Sequence, residues 1–171
     1  LEELALDYTV RTVDIEHGAQ FESGFIKISP NNKIPAIVDH DSGMALMESG
    51  AILLYLAEKA GRLMPTIPEA RWELLQWLFW QASGQGPMLG QAHHFLKFNK
   101  GKSAYAEERF GREAARLYRV LDQRLSGRDY LVDTYSIADI AIWPWVARFE
   151  WHEVDLRAFE NVHRWYDRIS A

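Results

Sequence analysis

The sequence predicts a small α/β domain followed by an all-helical one, and three observations carry that expectation. Up to about residue 62, short β-branched or apolar runs alternate with turns and one compact helix. From Glu69 onward every long segment has helical periodicity. Between the two, Arg62-Leu63-Met64-Pro65-Thr66-Ile67-Pro68 interrupts the pattern with two prolines, each of which disfavours helix at the preceding residue. The expected organisation is a first domain over 1–62, a linker over 63–68 and a helical domain over 69–171.

Composition narrows the function classes. The 171 residues are 48% hydrophobic with seven Trp, seven Tyr and eight Phe, ample for a packed core and unlike a disordered chain. The 19 basic and 24 acidic residues are interspersed, for a net charge of −5; a nucleic-acid groove wants a basic face. No apolar run reaches the roughly 18 to 20 residues of a membrane-spanning helix, and no secretory leader opens the chain. A soluble, cytoplasmic protein with no membrane or nucleic-acid partner is the expectation. With no cysteine, thiol chemistry belongs to a ligand.

In chain order, Leu1 to Asp7 reads as the last turns of a helix. Tyr8 to Asp14 is rich in β-branched residues and is expected to be a strand. A helix tail, strand, loop and hairpin together imply a β-α-β unit whose first strand lies outside this chain. Ile15 to Ser29 is polar, with a short helix expected around Phe21 to Ile28. His17 and His40 have no partners at metal-ligand spacing, and no metal site is expected.

Asn31 to Gly61 holds the densest set of signals. Ala36 to Val38 and Met44 to Met47 read as short strands reversed by Asp41-Ser42-Gly43. Ala51 to Ala60 reads as a helix, with Glu48 or Ser49 at its start and Gly61 as its stop. Ile34-Pro35 is a candidate cis bond that would turn the Ile34 N–H and C=O outward to pair with an extended peptide; a trans proline opening an edge strand is the commoner alternative. Glu48-Ser49 can be an ordinary cap. Alternatively, the helix start and Ser49 hydroxyl can hold a carboxylate while Glu48 accepts from an ammonium, the two charges of an α-amino acid end.

In the helical part, Arg71 to Ser83 is expected to bury a stripe of Trp72, Leu75, Leu78 and Phe79, widened by Trp77 and Trp80, in the core or at a subunit interface. Gly84 to Phe95, with three glycines and a proline, predicts a break or bend between helical pieces. His93 and His94 are neighbours and do not share a helix face, which argues against a shared metal. A long helix over Tyr105 to Leu125 carries Phe110, Ala114, Leu117, Leu121 and Leu125 inward, with Arg109, Arg112, Arg116, Arg119 and Arg124 mostly paired against Glu107, Glu108, Glu113 and Asp122. Ser136 and Asp139 read as a capping box. Pro144 is expected to free the Ile140 carbonyl and kink its helix. Trp143, Trp145, Phe149 and Trp151 fill the core or line a hydrophobic pocket. Asn161 to Ile169 reads as a last amphipathic helix.

Taken together, Pro-Asn-Asn-Lys-Ile-Pro-Ala-Ile, the hairpin, and Glu-Ser-Gly-Ala-Ile-Leu-Leu-Tyr-Leu-Ala resemble the glutathione-site half of the glutathione transferase family. The bacterial nu-class members, which act on glutathione and disulfides, are the nearest likeness, and they also carry a similar Gly-Pro-Met-Leu-Gly-Gln-x-His-His-Phe. The resemblance implies a thioredoxin-like first domain, whose missing first strand and turn would carry the group contacting the glutathione sulfur. It further implies glutathione or glutathione disulfide as ligand, a second hydrophobic or disulfide substrate left unidentified, and a homodimer. By that resemblance Gln20 and Lys33 meet the ligand's glycine end, Ile34 with Pro35 pairs with its cysteine, and Glu48 and Ser49 hold its γ-glutamyl end. Arg109 reaches across the dimer, and a ligand-facing role for Gln91 or His94 is a weaker inference. The implied activity is disulfide reduction or thiol transfer to electrophiles. A non-catalytic protein-binding module and a glutathione-dependent lyase or dehalogenase are the alternatives.

Overall fold

The hairpin anchors the first part of the chain. In the computed structural model, which describes all of Leu1–Ala171, β1 (Ala36–Asp39) and β2 (Met44–Met47) pair antiparallel, from Ala36 opposite Met47 to Asp39 opposite Met44. The reversal needs a left-handed residue, and Gly43 takes it at φ +71°. The Asp39 carboxylate accepts from the Asp41 N–H at 2.9 Å and the Ser42 hydroxyl from the Met44 N–H at 3.3 Å, so side chains hold the turn closed. Helix α2 (Ser49–Ala60) buries Ile52, Leu56 and Ala57 and stops at Gly61, whose N–H reaches the Ala57 and Glu58 carbonyls.

A polar staple joins α2 to the hairpin. Tyr55 donates its hydroxyl to Asp39, and the Lys59 ammonium lies 2.6 Å from Asp39 and 2.8 Å from Asp41. The ammonium, then the phenol, holds the Asp39 carboxyl well below the usual carboxylate range; Asp39 in turn raises Lys59.

The chain divides into two units, Leu1–Arg62 and Leu63–Ala171. In the first, Tyr8 to Asp14 is not a strand, contrary to the composition, and Val10 is 71% exposed. β-branched residues favour extended backbone, but a strand exists only through a hydrogen-bonded neighbour, and the chain's sheet consists of β1 and β2 alone. The expected helix tail is a 3₁₀ turn at Glu2–Leu4. The helix expected around Phe21 to Ile28 is a 3₁₀ turn (Ala19–Phe21) and a single α-turn, α1 (Ser23–Ile26), parted by extended Glu22.

In the second unit, α3 (Pro68–Trp80), a π-turn (Gln81–Gln85), α4 (Gly86–Ala92) and a second π-turn (His93–Phe98) follow one another. Of the break or bend expected here, the break is absent: the residues at each junction keep right-handed helical dihedrals. The first π-turn supplies the change of register that Pro87, with no N–H, demands. As a core stripe, the expected set on α3 is also wrong, Leu78 apart. Leu74 and Leu78 are buried, whereas Trp72 and Phe79 are each 67% exposed. A helix apolar on several faces does not reveal which face turns inward.

Helix α5 (Ala104–Arg124) starts on the Ser103 hydroxyl, which accepts from the Ala106 N–H, and buries Ala114, Leu117, Tyr118 and Leu121. Its ion pairs differ partly from those expected. Arg116 pairs with Glu113 and Arg112 with Glu108, but Arg124 reaches Glu73 on α3 at 2.6 Å. Asp122 instead caps α7 (Glu160–Ser170), accepting from the Asn161 and Val162 N–H groups at 2.9 and 3.2 Å. Helix α6 (Ile137–Val146) begins at the Ser136–Asp139 capping box, contains Pro144 in its last turns and is buried along Ile137, Ala138, Ile142 and Val146. The aromatic residues on it and just after it pack within this unit. Trp143 stacks on Tyr166, Phe149 meets Tyr166 edge-on, Trp145 stacks on His93, and Trp151 meets Phe98 and His93 edge-on.

Candidate functional site

The register of the hairpin creates the site. Because Ala36 faces Met47, the residues just before β1 and just after β2 emerge at the same end: Ile34 and Pro35 on one strand, Glu48 and Ser49 on the other. The Ile34–Pro35 bond is cis, and Ile34 is 51% exposed with neither its N–H nor its C=O hydrogen-bonded within the chain. An extended residue with both backbone groups open can accept another extended chain.

Opposite it, α2 begins without a side-chain cap. The first intrahelical bond runs from the Ile52 N–H to the Glu48 carbonyl at 2.9 Å, so the N–H groups of Ser49, Gly50 and Ala51 have no intrahelical acceptor. The Ser49 hydroxyl does not cap them. Three open N–H groups, an adjacent hydroxyl and the positive end of the helix dipole favour a carboxylate. Glu48 sits beside them at φ +69° and ψ +116°, a conformation that costs a non-glycine residue of order 1–3 kcal/mol and that is enriched at ligand sites.

Sequence reasoning missed the loop that braces this end. Ser29 is fully buried and donates its hydroxyl to the Lys33 carbonyl at 2.8 Å, while its own carbonyl accepts from the Asn32 N–H at 2.9 Å. Asn32 turns left-handed at φ +56°. Asn31 carries the loop across to the helix start, its amide 3.5 Å from Glu48 Oε1. The Ser-Pro-Asn-Asn run, dense in turn-forming residues, was the available signal. Lys33 is exposed, with its ammonium in no ion pair. Gln20 stands on the 3₁₀ turn, its amide held by the Ile15 carbonyl at 3.3 Å and its Oε1 buried without a partner. No hydrogen bond joins it to Lys33 or Glu48.

Arg109 belongs to the other unit. It is exposed on α5, with its guanidinium 6.0 Å from the Phe110 ring. Gln91 and His94 are also exposed there; His94 packs against Phe95 and approaches Asn99.

Two family models match the chain: Glutathione S-transferase, N-terminal domain, over residues 1–58, and Glutathione S-transferase, C-terminal domain, over residues 86–171. The chain belongs to the glutathione S-transferase family. Gln20, Lys33, Ile34, Pro35, Glu48 and Ser49 of this chain fall within the first match and Arg109 within the second. Among curated relatives, disulfide-bond oxidoreductase YfcG of Escherichia coli (strain K12) is 51% identical over 177 residues, covering 100% of this chain and 82% of that protein. Disulfide-bond oxidoreductase YghU of the same organism is 41% identical over 175 residues, covering 96% of this chain and 60% of that one. Among solved structures, a glutathione transferase from Pseudomonas putida with one glutathione disulfide bound per subunit superposes with a TM-score of 0.92 at 41% identity, over 97% of this chain and 77% of that one. One from Burkholderia graminis with two glutathione molecules per subunit gives 0.92 at 40% identity, over 99% and 76%. The fold is that of the family, with a thioredoxin-like α/β first part and an all-helical second part.

Proposed function

We propose that this glutathione S-transferase is an enzyme that binds glutathione and glutathione disulfide and uses glutathione to reduce disulfide substrates. The observation that carries the reading is the pairing, at one end of the hairpin, of the open Ile34 backbone with the uncapped start of α2. The relatives named disulfide-bond oxidoreductase and the structure with glutathione disulfide bound support this activity over conjugation to electrophiles.

In this reading, residues 1–62 form the glutathione-binding domain, 63–68 the linker and 69–171 the helical domain. Ile34, set by Pro35, pairs its N–H and C=O with the ligand's cysteine. The first amides of α2 and the Ser49 hydroxyl hold the γ-glutamyl α-carboxylate while Glu48 takes the α-ammonium. Lys33 and Gln20 serve the glycine carboxylate, for which the Gln20 amide must exchange its bond to Ile15. A glutathione thiolate then attacks one sulfur of the substrate disulfide, forming a mixed disulfide and expelling the other sulfur as thiolate. A second glutathione thiolate attacks the mixed disulfide, giving glutathione disulfide and the second substrate thiol. The protein is cytoplasmic and homodimeric, and Arg109 acts on the partner's ligand.

Calorimetric titration with glutathione and then glutathione disulfide tests the reading. Both ligands bind, and Glu48→Ala or Ser49→Ala weakens binding by about 10- to 100-fold, the loss of a charge-assisted hydrogen bond. Absence of heat with either ligand in a folded sample refutes the assignment.

A further inference from the structure

The second unit holds a buried polar chain that the proposed chemistry does not use. His152, 1% exposed, has hydrogen-bond partners at both ring nitrogens: Nδ1 lies 3.0 Å from the Tyr118 hydroxyl and Nε2 lies 2.7 Å from His93 Nε2. The two imidazoles are within 3° of parallel, their ring centroids 4.6 Å apart. His93 is 8% exposed and packs between Trp145 and Trp151. Neutral rings satisfy this chain in full: Tyr118 donates to His152, which donates to His93.

An acceptor near the Tyr118 end of the chain is unused. Gln85, 2% exposed, keeps its Oε1 without any hydrogen bond, and it borders the same narrow void as Tyr118. That void has no room for a water molecule, so solvent does not satisfy the oxygen. Gln85 closes the first π-turn and His93 opens the second. Gln85 makes no hydrogen bond to the chain, which runs from Tyr118 on α5 through His152 to His93 at the second π-turn, a departure from α geometry of the kind that marks functional sites.

We propose that Tyr118, His152 and His93 form a proton-sensitive clasp that ties α5 to the second π-turn while both histidines are neutral and opens when His152 gains a proton. A proton on His152 Nδ1 turns that atom into a donor and displaces the Tyr118 hydrogen, which breaks the chain at its Tyr118 end. The charges around the clasp offer the imidazolium no counterion. Arg148, just before the Phe149–His152 turn, is a cation stacked on Trp151. Within that turn, Glu150 is exposed to solvent. Glu153 is engaged by Lys100, Glu108 by Arg112, and Glu107 by the Gly101 and Ser103 amides. Helix α4 has no charged side chain, and the second π-turn adds only His94 and Lys97, both exposed. A cleft of about 390 Å³, lined by His152 and these paired charges, brings solvent to the clasp.

Burial, then His93 and Arg148, lowers the His152 pKa from 6.5 to about 3, and burial lowers that of His93. A histidine depressed on folding contributes its full stability above its unfolded pKa. As pH falls below about 6.5 the unfolded chain takes up the proton first, and the contribution drains until the folded pKa is reached.

Urea unfolding of the full chain from pH 8 to pH 4.5 reads this directly. The folding equilibrium constant of the wild type drops by about tenfold per pH unit below pH 6 for each histidine kept neutral, and His93→Gln with His152→Asn flattens the curve by that amount. A double variant as acid-sensitive as the wild type overturns the clasp. If the double variant does not fold, histidine ¹⁵N spectra of the wild type decide: His152 neutral at pH 5 supports the clasp, and an imidazolium at pH 6 in the folded protein ends it.

Discussion

Asp139 has no exposed surface, yet its carboxylate is fully occupied. It accepts from the Leu131 N–H, the Ser136 N–H and the Ser136 hydroxyl at 3.0 Å each, and from the Trp165 indole at 2.9 Å. Burial pushes its pKa up, and the four donors pull against that. Removing the side chain strands a helix start, a loop amide and a fully buried indole at once. Asp139→Ala therefore costs about 3–5 kcal/mol in urea unfolding, the sum of a lost cap and buried donors left unpaired. Glutathione affinity of the folded fraction stays unchanged, since every contact lies within residues 63–171; intact melting with lost binding would reverse the assignment. This role was legible in the sequence, because a capping box is a local pattern with a fixed spacing. The set proposed to face the ligand was read from equally local signals: Ile34, Pro35, Glu48 and Ser49 sit close together along the chain. Ser29 and Asn31, which brace them, gave a turn signal only, since their partners depend on how the loop closes.

At the scale of elements, the run from Pro68 to Phe98 shows where local rules end. Glycine and proline between residues 84 and 90 suggest a break, whereas the structure absorbs them with a π-turn on either side of α4. Gly86 is required by close approach: a Cβ there would lie 2.9 Å from Gln81 Nε2, 3.2 Å from the Gln81 carbonyl and 3.3 Å from the Trp145 ring. At Gly90 the nearest such contact is an ordinary 3.8 Å. Gly86→Ala is expected to destabilise by about 1–3 kcal/mol through overpacking, and Gly90→Ala to stabilise by about 0.5–1 kcal/mol through helix propensity. Thermal unfolding of the pair checks this, and equal effects would contradict the packing account. Tyr8 to Asp14 teaches the complementary point. Its residues favour extension, but pairing decides strands.

For the whole molecule, the open question is assembly. Trp72 and Phe79 are seven residues apart on α3, close to two helical turns, and each exposes two thirds of its surface. Large apolar side chains left out on one helix face mark an interaction surface. In the proposed homodimer that surface is covered by a second copy, and Trp72→Lys with Phe79→Lys shifts the protein to monomer in sedimentation or light scattering. A wild type that is already monomeric at assay concentrations rules the homodimer out. The same experiment bears on Arg109, because a role on the partner's ligand requires the partner.

The sequence by itself determined the family, the hairpin with the helix that follows it, and the helical second part; the residues proposed to face the ligand were read from the same local signals. Each of these is written in local spacing: a proline before a short strand, a glycine in a tight turn, a serine and glutamate at a helix start, a capping box. Tertiary structure alone decided which face of α3 turns outward, that Arg124 finds Glu73 while Asp122 caps α7, and that Tyr118, His152 and His93 meet in the core. Those outcomes depend on partners 34 to 59 residues away along the chain, whose approach is set by packing the whole unit, and no local pattern encodes them.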